Sequence, residues 1–425
     1  MYVLLYFYTF QMNKNLLATI VLDQRQSFDL KREMTVRDSA QPLNKKDKKI
    51  LVITGVRRSG KSTLLRQLVC DRSDFYYLNF EDERLIDFSV GDFQALTEVF
   101  FEQFGEHHLF LFDEIQNVSG WEKFVRRLHE GGQKIVVTGS NARLLSSELA
   151  TALTGRYRKI ELYPFSFREF LRSQHVSIKG AYTTKEKATL NTFFRRYLEK
   201  GGFPEIVLSG NDDDLRQLYQ DILLKDLIVR YRIRQVKEFR ELALCLLSNS
   251  GAPVSFNNLR KVLGFKSVTT VKNFIDAMEE AYLFLSTVKF DFSLKKQIVN
   301  DRKMYAIDTG LITSSSFSFS ENSGRLLENA IAIELRRRGY PLYYFFEKNE
   351  CDFILKRGSK VEGAIQVTEY VDKKNQQREL EGLVSACKRY NLSKGLILTN
   401  SQEERVRQDG VGVDIVPAWK WLLSK

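Results

Sequence analysis

The stretch Gly55-Val56-Arg57-Arg58-Ser59-Gly60-Lys61-Ser62 decides the fold, because it has the pattern G-x-x-x-x-G-K-[ST] of a phosphate-binding loop. It follows the apolar run 50–53 and opens a helical segment, 61–69, and this strand–loop–helix context is what the motif requires. Its glycines let the backbone turn tightly and present N–H groups to phosphates. We expect Lys61 to reach the β- and γ-phosphates and Ser62 to ligate Mg²⁺. An ordinary glycine-rich turn between a strand and a helix is the alternative.

A second polar signature follows the apolar run 108–112, where Asp113 and Glu114 stand side by side. A buried strand that ends in an acid, about fifty residues after a phosphate-binding loop, is typical of nucleotide hydrolases. We expect Asp113 to hold Mg²⁺ and Glu114 to polarise the attacking water as a general base. Adjacent acids at the end of a strand are also a common surface feature, which is the alternative.

Short apolar runs alternate with amphipathic helical segments from residue 50 to residue 162. This alternation indicates crossover connections, and therefore an α/β fold with a parallel sheet. A Ser-x-x-Glu pattern marks two helix starts, at Ser119 and Ser166. The predicted strands are Ile50–Thr54, Phe75–Phe80, His108–Phe112, Lys134–Thr138 and Arg158–Leu162.

Composition sets outer limits on the class of protein. The chain has 425 residues, of which 43% are hydrophobic, so packed cores can form and wholesale disorder is excluded. The net charge of +12 is only a weak indication of nucleic-acid binding, since many basic faces are simply solvated. None of the four cysteines has the spacing of a metal site or a redox motif, which argues against zinc and disulfides. We therefore expect a cytoplasmic protein.

The first ten residues are very apolar, but ten residues cannot span a bilayer. They also lack the basic start and the cleavage site of a signal peptide, so no stable membrane insertion is expected. Met12 is followed by residues of usual composition for a folded protein, which favours Met12 over Met1 as the true start. A short strand or an arm that touches the membrane is the alternative.

Six short stretches carry a resemblance to a known family: Thr54–Lys61, Leu111–Gln116, Thr138–Ala142, Leu153–Tyr157, Leu162–Phe167 and Gly201–Glu205. They resemble the AAA+ ATPase superfamily, in the class that places an extra strand, here 75–80, between the phosphate loop and the Asp-Glu strand. The chain is similar in particular to a prokaryotic family of AAA+-like ATPases. Members of that family continue into a winged-helix segment and a C-terminal domain that resembles PD-(D/E)XK nucleases. The resemblance implies ATP and Mg²⁺ as ligands.

The resemblance also implies roles for individual residues. Ser140 or Asn141, at the end of the fourth strand, would sense the γ-phosphate, and Asn141 has the longer reach. Asn79, at the end of the second strand, would restrain the catalytic Glu114, and Arg156 would act as an arginine finger. Turn capping by the two asparagines and a structural ion pair of Arg156 are the alternatives. The nucleotide-binding residues would be Gly55, Arg58, Ser59, Gly60, Lys61, Ser62, Thr63, Asn79 and Asp113.

Residues 238–312 are expected to form three helices and then two strands, which is the order of a winged helix-turn-helix. The recognition helix would span Ser267–Ala281, and the wing strands would span 288–290 and 304–307. Three acids on that helix favour packing against protein instead of DNA: Asp276, Glu279 and Glu280. The exposed residues that could contact DNA are Lys266, Ser267, Thr270, Lys272 and Asn273.

The C-terminal part is expected to follow the order helix, three strands, helix and strand of a restriction-endonuclease-like core. Such a nuclease needs acids that converge on Mg²⁺, and Glu328 and Asp352 would be the first two. The third strand would then supply a glutamate and a lysine, but the sequence has Gln366 and Thr368 at those positions. One carboxylate and the cation that orients water are therefore missing, so we expect a degenerate site that does not cut DNA.

The fold class is therefore α/β, a P-loop NTPase sheet with a helical lid, followed by a winged helix and an α/β restriction-endonuclease-like domain. A serine-rich segment, Thr313–Ser323, is expected to be a flexible linker. The expected parts are an N-terminal helix and linker (1–47), an ATPase core (48–164), a helical lid (165–236), a winged helix (237–312) and a nuclease-like domain (324–425).

The expected function is ATP binding and Mg²⁺-dependent hydrolysis as an AAA+-type switch, in a role that is regulatory or linked to nucleic acid. DNA, a partner protein and further copies of the chain are the candidate partners. One alternative is a nucleotide-gated scaffold that binds protein or DNA with little hydrolysis. The other is a Mg²⁺-dependent DNA nuclease that uses the C-terminal domain.

Overall fold

The computed structural model describes residues 12–30, 33–41, 43, 47–141, 153–211, 213–315 and 323–424. The apolar leader, residues 44–46 of the N-terminal linker, Ala142 and residues 316–322 of the serine-rich linker lie outside them. The described residues group into two compact units, one within 1–55 and 60–162 and the other within 56–59 and 163–425. The predicted lid, winged helix and C-terminal domain thus share a single unit.

The first unit is built on a five-stranded sheet in which every pair of neighbouring strands is parallel, in the order β2-β3-β4-β1-β5. This sheet confirms the predicted α/β class for this part of the chain. Each strand begins and ends within one residue of its predicted bounds. The strands are β1 (Ile50–Thr54), β2 (Tyr76–Asn79), β3 (Leu109–Asp113), β4 (Lys134–Gly139) and β5 (Tyr157–Glu161).

Both faces of this sheet are covered, which is why its central strands read as continuous apolar runs. Ile50 and Val52 pack into one hydrophobic core, and Leu51 and Ile53 pack into another, as the period of two along a strand requires. The helices of this unit are α1 (Lys14–Asp29), α2 (Lys61–Leu68), α3 (Phe93–Phe104) and α4 (Trp121–Glu130), with short 3₁₀ turns at Glu83–Leu85, Val90–Asp92 and Ile115–Asn117.

The second unit begins with helices, as predicted for residues 166–236. Ser166 caps the first of them in a capping box with Glu169, whereas α4 starts from Gly120, so the box predicted at Ser119 is wrong. The predicted turn is present: Gly201 has a φ of 75°, which favours glycine, and Pro204 begins the next helix. The helices are α5 (Phe167–Ser173), α6 (Thr184–Lys200), α7 (Pro204–Ser209), α8 (Asp213–Asp221) and a π-helical segment (Ile222–Val229).

Three helices, followed by an antiparallel strand pair with a fourth helix between its strands, lie where the winged helix was predicted. That these elements form a winged helix stays a prediction. The pair is β7 (Phe284–Lys289) with β8 (Arg302–Ala306), so the first wing strand begins earlier than expected. The helices of this region are α9 (Val236–Ser248), α10 (Phe256–Val262), α11 (Val268–Glu280) and, between the two strands, α12 (Leu294–Val299).

This second sheet crosses the predicted boundary at residue 312. Its order is β10-β9-β7-β8-β6, with β6 (Pro253–Val254), β9 (Tyr343–Phe346) and β10 (Glu350–Cys351). The first of the three strands predicted for the C-terminal core, β9, therefore pairs with β7, parallel to it, and belongs to this sheet.

The C-terminal sheet has the order β11-β12-β13-β15-β14, and its last two strands and the final helix were not predicted. The predicted linker is wrong at both ends, because Thr313 and Ser323 lie in helices. No helix among the described residues is both long and apolar enough to cross a membrane.

The elements of the C-terminal part, from residue 309 onward and apart from β9 and β10, are α13 (Thr309–Ser315), α14 (Ser323–Arg337), β11 (Phe353–Arg357), β12 (Lys360–Val367), α15 (Gln376–Arg389), β13 (Lys394–Thr399), β14 (Glu404–Gln408), β15 (Val411–Pro417) and α16 (Ala418–Leu423).

Candidate functional site

The phosphate-loop sequence lies between the carboxyl end of β1 and the start of α2. Gly60 has a φ of 92°, a left-handed conformation that favours glycine, and it directly precedes the first helical residue, Lys61. The Lys61 side chain is buried, and its Nζ donates to the carbonyl oxygen of Gly55 at 3.3 Å. Ser62 and Thr63 form the first turn of α2, where backbone N–H groups favour an anion.

Glu114 lies next to Lys61, with 3.2 Å between Oε1 and Nζ. Its other oxygen, Oε2, accepts from the Ser140 backbone N–H at 3.2 Å and from the Gln116 amide. Burial alone would raise the pKa of Glu114, but the charge of Lys61 and these hydrogen bonds outweigh it and lower the pKa. The Glu114 carboxylate is thus held ionised beside the lysine that would meet the phosphates.

Asp113 ends β3 and is completely buried. Its carboxylate accepts hydrogen bonds from the hydroxyls of Ser62 and Thr138 and, at 3.4 Å, of Tyr77. Burial, with the charge of Glu114 beside it, raises the pKa of Asp113. A buried carboxylate whose charged form is disfavoured gains from a cation, and the oxygens of Asp113 and Ser62 are of the type that Mg²⁺ prefers.

Mg²⁺ usually keeps several waters and binds through one or two carboxylates together with substrate phosphates. The residues present fit that pattern, because the carboxylate of Asp113 already meets the hydroxyl of Ser62. Across the ranges described, no group of three or more His, Cys, Asp and Glu side chains could hold a metal ion as they are arranged in the native chain. A metal at this site would therefore depend on nucleotide for part of its coordination.

Ser140 and Asn141 follow β4, which lies between β3 and β1 in the sheet, and both are buried. Their position is thus the one predicted for a γ-phosphate sensor, and the Ser140 backbone N–H already contacts Glu114.

Asn79 ends β2 as predicted, but its side chain does not contact Glu114. Its Oδ1 accepts from the backbone N–H of Glu81 at 2.9 Å, and Gln24 bonds its backbone N–H and C=O. In this structure the side chain of Gln116 contacts Glu114 instead. Asn79 and Ser62 do line one cavity, of about 380 Å³, so a role of Asn79 near a nucleotide stays a prediction.

Arg156 lies at the far end of the sheet from the phosphate loop. Its backbone C=O accepts from the N–H of Ile50, the first residue of β1, while the loop follows the last, Thr54. Five strand residues span roughly 16 Å, which exceeds the reach of an arginine side chain. The Arg156 guanidinium pairs with Glu130 at 3.2 Å, and its predicted role as an arginine finger stays a prediction.

The ion-pair partners of Arg57 and Arg58, in the phosphate loop, were not predicted from the sequence. Within the second unit, Arg58 pairs with Glu205 at 2.8 Å and with Asp221 at 3.8 Å, and Arg57 lies 3.7 Å from the buried Asp226. Glu205 stands in one of the stretches that carried the family resemblance, but nothing in its spacing indicated a partner. Ser59, between the arginines and Gly60, is buried.

Two relatives match nearly the whole chain. An uncharacterised protein of Methanocaldococcus jannaschii is 36% identical over 397 residues, which cover 88% of each chain. An uncharacterised protein of Haemophilus influenzae is 32% identical over 392 residues, covering 87% of this chain and 94% of its own. This chain belongs to their family. A family model described as an AAA domain matches residues 47–171, and two described as domains of unknown function match 191–321 and 323–421.

Among solved structures, Cdc6p of Pyrobaculum aerophilum covers 67% of this chain and 88% of its own, at 12% identity and a TM-score of 0.25. Domain III of the Thermotoga maritima replication initiation protein DnaA covers 53% of this chain and 88% of its own, at 16% identity and a TM-score of 0.24. Structural similarity at TM-scores this low supports no conclusion about this chain. The P-loop ATPase assignment of this AAA-domain protein rests on the AAA match and on the parallel sheet described above.

The C-terminal part of this AAA-domain protein brings Glu328 and Asp352 together around a residue that the sequence did not indicate. The ammonium of Lys303, on β8, bonds both carboxylates. Gln366 accepts from the Asp352 backbone N–H at 3.2 Å and donates to Glu379 at 2.7 Å. Thr368 lies beyond the end of β12, and its hydroxyl donates to the carbonyl of Tyr370 at 3.4 Å.

Proposed function

We propose that this AAA-domain protein binds ATP with Mg²⁺ and hydrolyses it, and that hydrolysis switches an interaction that is regulatory or linked to nucleic acid. The observation that supports this most is the contact of Glu114 with Lys61, beside an Asp113 that accepts from Ser62. A lysine, a hydroxyl, a buried acid and an ionised carboxylate at one end of a parallel sheet are the groups that phosphoryl transfer needs.

Each group has a distinct part in the proposed reaction. Lys61 and the N–H groups of the loop hold the phosphates, while Ser62 and Asp113 hold Mg²⁺, which would neutralise charge on the phosphate oxygens. Glu114, kept deprotonated by its surroundings, accepts a proton from the attacking water. Asn141, at the end of β4, contacts the γ-phosphate.

The direct test is ATP turnover by the full chain, measured as phosphate release with and without Mg²⁺ and with and without DNA. We expect release that requires Mg²⁺ and that DNA changes. Tight ATP binding without measurable release would support the alternative of a nucleotide-gated scaffold. Release that chelation of Mg²⁺ leaves unchanged would contradict the proposed site.

A link to nucleic acid is favoured by the state of two acids on α11. Glu279 accepts from the Ser286 backbone N–H at 3.0 Å, and burial raises its pKa; Glu280 accepts from the Tyr231 hydroxyl at 2.6 Å. Both acids are thus engaged within the chain, which reduces the repulsion they would exert on phosphates. The exposed residues Lys266, Lys272 and Asn273 remain the proposed DNA contacts.

We further propose that Arg156 acts on the nucleotide of a neighbouring copy, because it lies beside the first residue of β1 whereas the phosphate loop follows the last. The rate per subunit should then rise with protein concentration. Arg156→Ala should lower the rate, and mixing with Lys61→Ala should restore part of it, because that variant supplies the arginine. Arg126→Ala is the matched control, since Arg126 also pairs with Glu130. A rate that is independent of dilution, with no recovery on mixing, would refute the proposal.

A further inference from the structure

Lys303 is a buried cation outside the nucleotide site, with its side chain only 1% exposed. Its Nζ lies 2.9 Å from Glu328 Oε1, 2.5 Å from Glu350 Oε1 and 3.1 Å from Asp352 Oδ1. The three carboxylates come from α14, from β10 and from the link between β10 and β11. Three parts of the chain thus converge on one ammonium.

The ammonium is engaged by all three carboxylates. A lysine ammonium carries three N–H donors, and the fourth bond of its nitrogen goes to its own side chain. Lys303 donates hydrogen bonds to Glu328 and Asp352 and forms an ion pair with Glu350, so all three carboxylates are engaged by the ammonium. A divalent ion held by these acids would need the same oxygens, so the metal and the ammonium exclude each other.

The surroundings hold Lys303 in its charged form. Burial would lower the pKa of Lys303, but Tyr305 and the three carboxylates outweigh it and raise the pKa well above its usual value. Burial and the charge of Asp352 raise the pKa of Glu328 to about 7, and the Tyr305 hydroxyl donates to Glu328 at 2.6 Å. The cluster therefore keeps its cation.

We propose that Lys303 is a built-in cation that takes the place of a divalent ion among Glu328, Glu350 and Asp352, and so keeps this acidic site free of metal. Lys303 lies in the region matched by one domain of unknown function, and the three acids lie in the region matched by the next. The two regions are thereby joined by a charge pairing that a metal would have to break.

A catalytic role for Lys303 would require its ammonium to face a bound phosphate. The acids do line a cavity of about 750 Å³, which also contains Gln366 and Thr368. Lys303 is not among the residues that line it, and its ammonium already pairs with three carboxylates. The structure thus favours a neutralising cation over the lysine of a working nuclease.

The test compares Mn²⁺ binding to full-length variants without nucleotide, followed by the electron paramagnetic resonance signal of free Mn²⁺. Lys303→Met, which keeps an unbranched side chain one atom shorter and removes the charge, should bind one more Mn²⁺ than the native chain. The double variant Lys303→Met/Asp352→Asn should lose that ion. Lys289→Met, on the paired strand β7, is the matched control and should bind as the native chain does.

Three outcomes would overturn the proposal. The first is a folded Lys303→Met that gains no Mn²⁺. The second needs no change at Lys303, so it applies even if that variant fails to fold: the native chain binds Mn²⁺ that Asp352→Asn removes. The third is Mg²⁺- or Mn²⁺-dependent cleavage of linear, supercoiled or single-stranded DNA by the native chain that both Asp352→Asn and Lys303→Met abolish.

Discussion

Lys61→Ala is expected to remove most of the affinity for ATP while the fold survives. The Lys61 ammonium is buried, and in the proposed complex it would pair with phosphate away from solvent. Loss of one partner of such a pair costs about 2–5 kcal/mol, which weakens binding by about 30-fold to 4,000-fold. Equilibrium titration with a fluorescent ATP analogue measures the change directly.

The control for this variant is Lys159→Ala, on β5 of the same sheet, where the lysine makes a partly exposed ion pair with Glu161. It should bind ATP as the native chain does. Lys61→Ala also leaves Glu114 without its cation, so thermal unfolding has to be recorded alongside the titration. A folded Lys61→Ala with native affinity would refute the phosphate-loop assignment.

The sheet of the first unit could be predicted closely because its determinants are local. Each buried parallel strand is an apolar run with polar residues at its end, as in Leu109–Asp113. The carboxyl ends of such strands meet at one edge of the sheet, so the phosphate loop, Asp113 and Asn141 were expected to lie near each other. The motif and its strand–loop–helix context were sufficient for that.

The contacts around Glu114 could not be predicted in the same way. The family pattern indicated that Asn79 restrains Glu114. In the structure the side chain of Asn79 instead accepts from the backbone N–H of Glu81, and the side chain of Gln116 contacts Glu114. Glu114 has a φ of 50°, an uncommon conformation for a residue other than glycine, and it immediately precedes the 3₁₀ turn that carries Gln116. Side-chain direction at such a turn does not follow from sequence spacing.

Long-range pairing explains most of the errors in the second unit. The apolar pattern of β9 indicated a strand correctly but carried no information on its partner, which is β7, more than fifty residues earlier. Lys303 was missed for a similar reason. Its neighbours in sequence are an ordinary strand, and only the packing of β8 against α14 brings it to Glu328.

Glu114→Gln is expected to lower ATP turnover by about 10²–10⁴-fold, the usual contribution of a general base, while ATP binding is retained. Glutamine keeps the shape of the side chain and one of its two acceptor oxygens, which can still face Lys61, although its NH2 group then lies where Glu114 Oε2 accepts from the Ser140 backbone N–H. It cannot accept the proton of the attacking water. Single-turnover measurement of phosphate release, with binding measured separately, distinguishes the two effects.

The pH dependence of the native chain provides a second check on the role of Glu114. Because Lys61 and the hydrogen bonds lower its pKa, Glu114 is already deprotonated at neutral pH. Turnover should therefore not rise with pH through the neutral range on account of this group, and should fall only in acid. Glu98→Gln, an exposed acid on α3 that pairs with Lys14, is the matched control and should turn over ATP as the native chain does. Equal rates for Glu114→Gln and this control would exclude Glu114 as the general base. Asp113, which accepts from Ser62, would then be the remaining acid at the site.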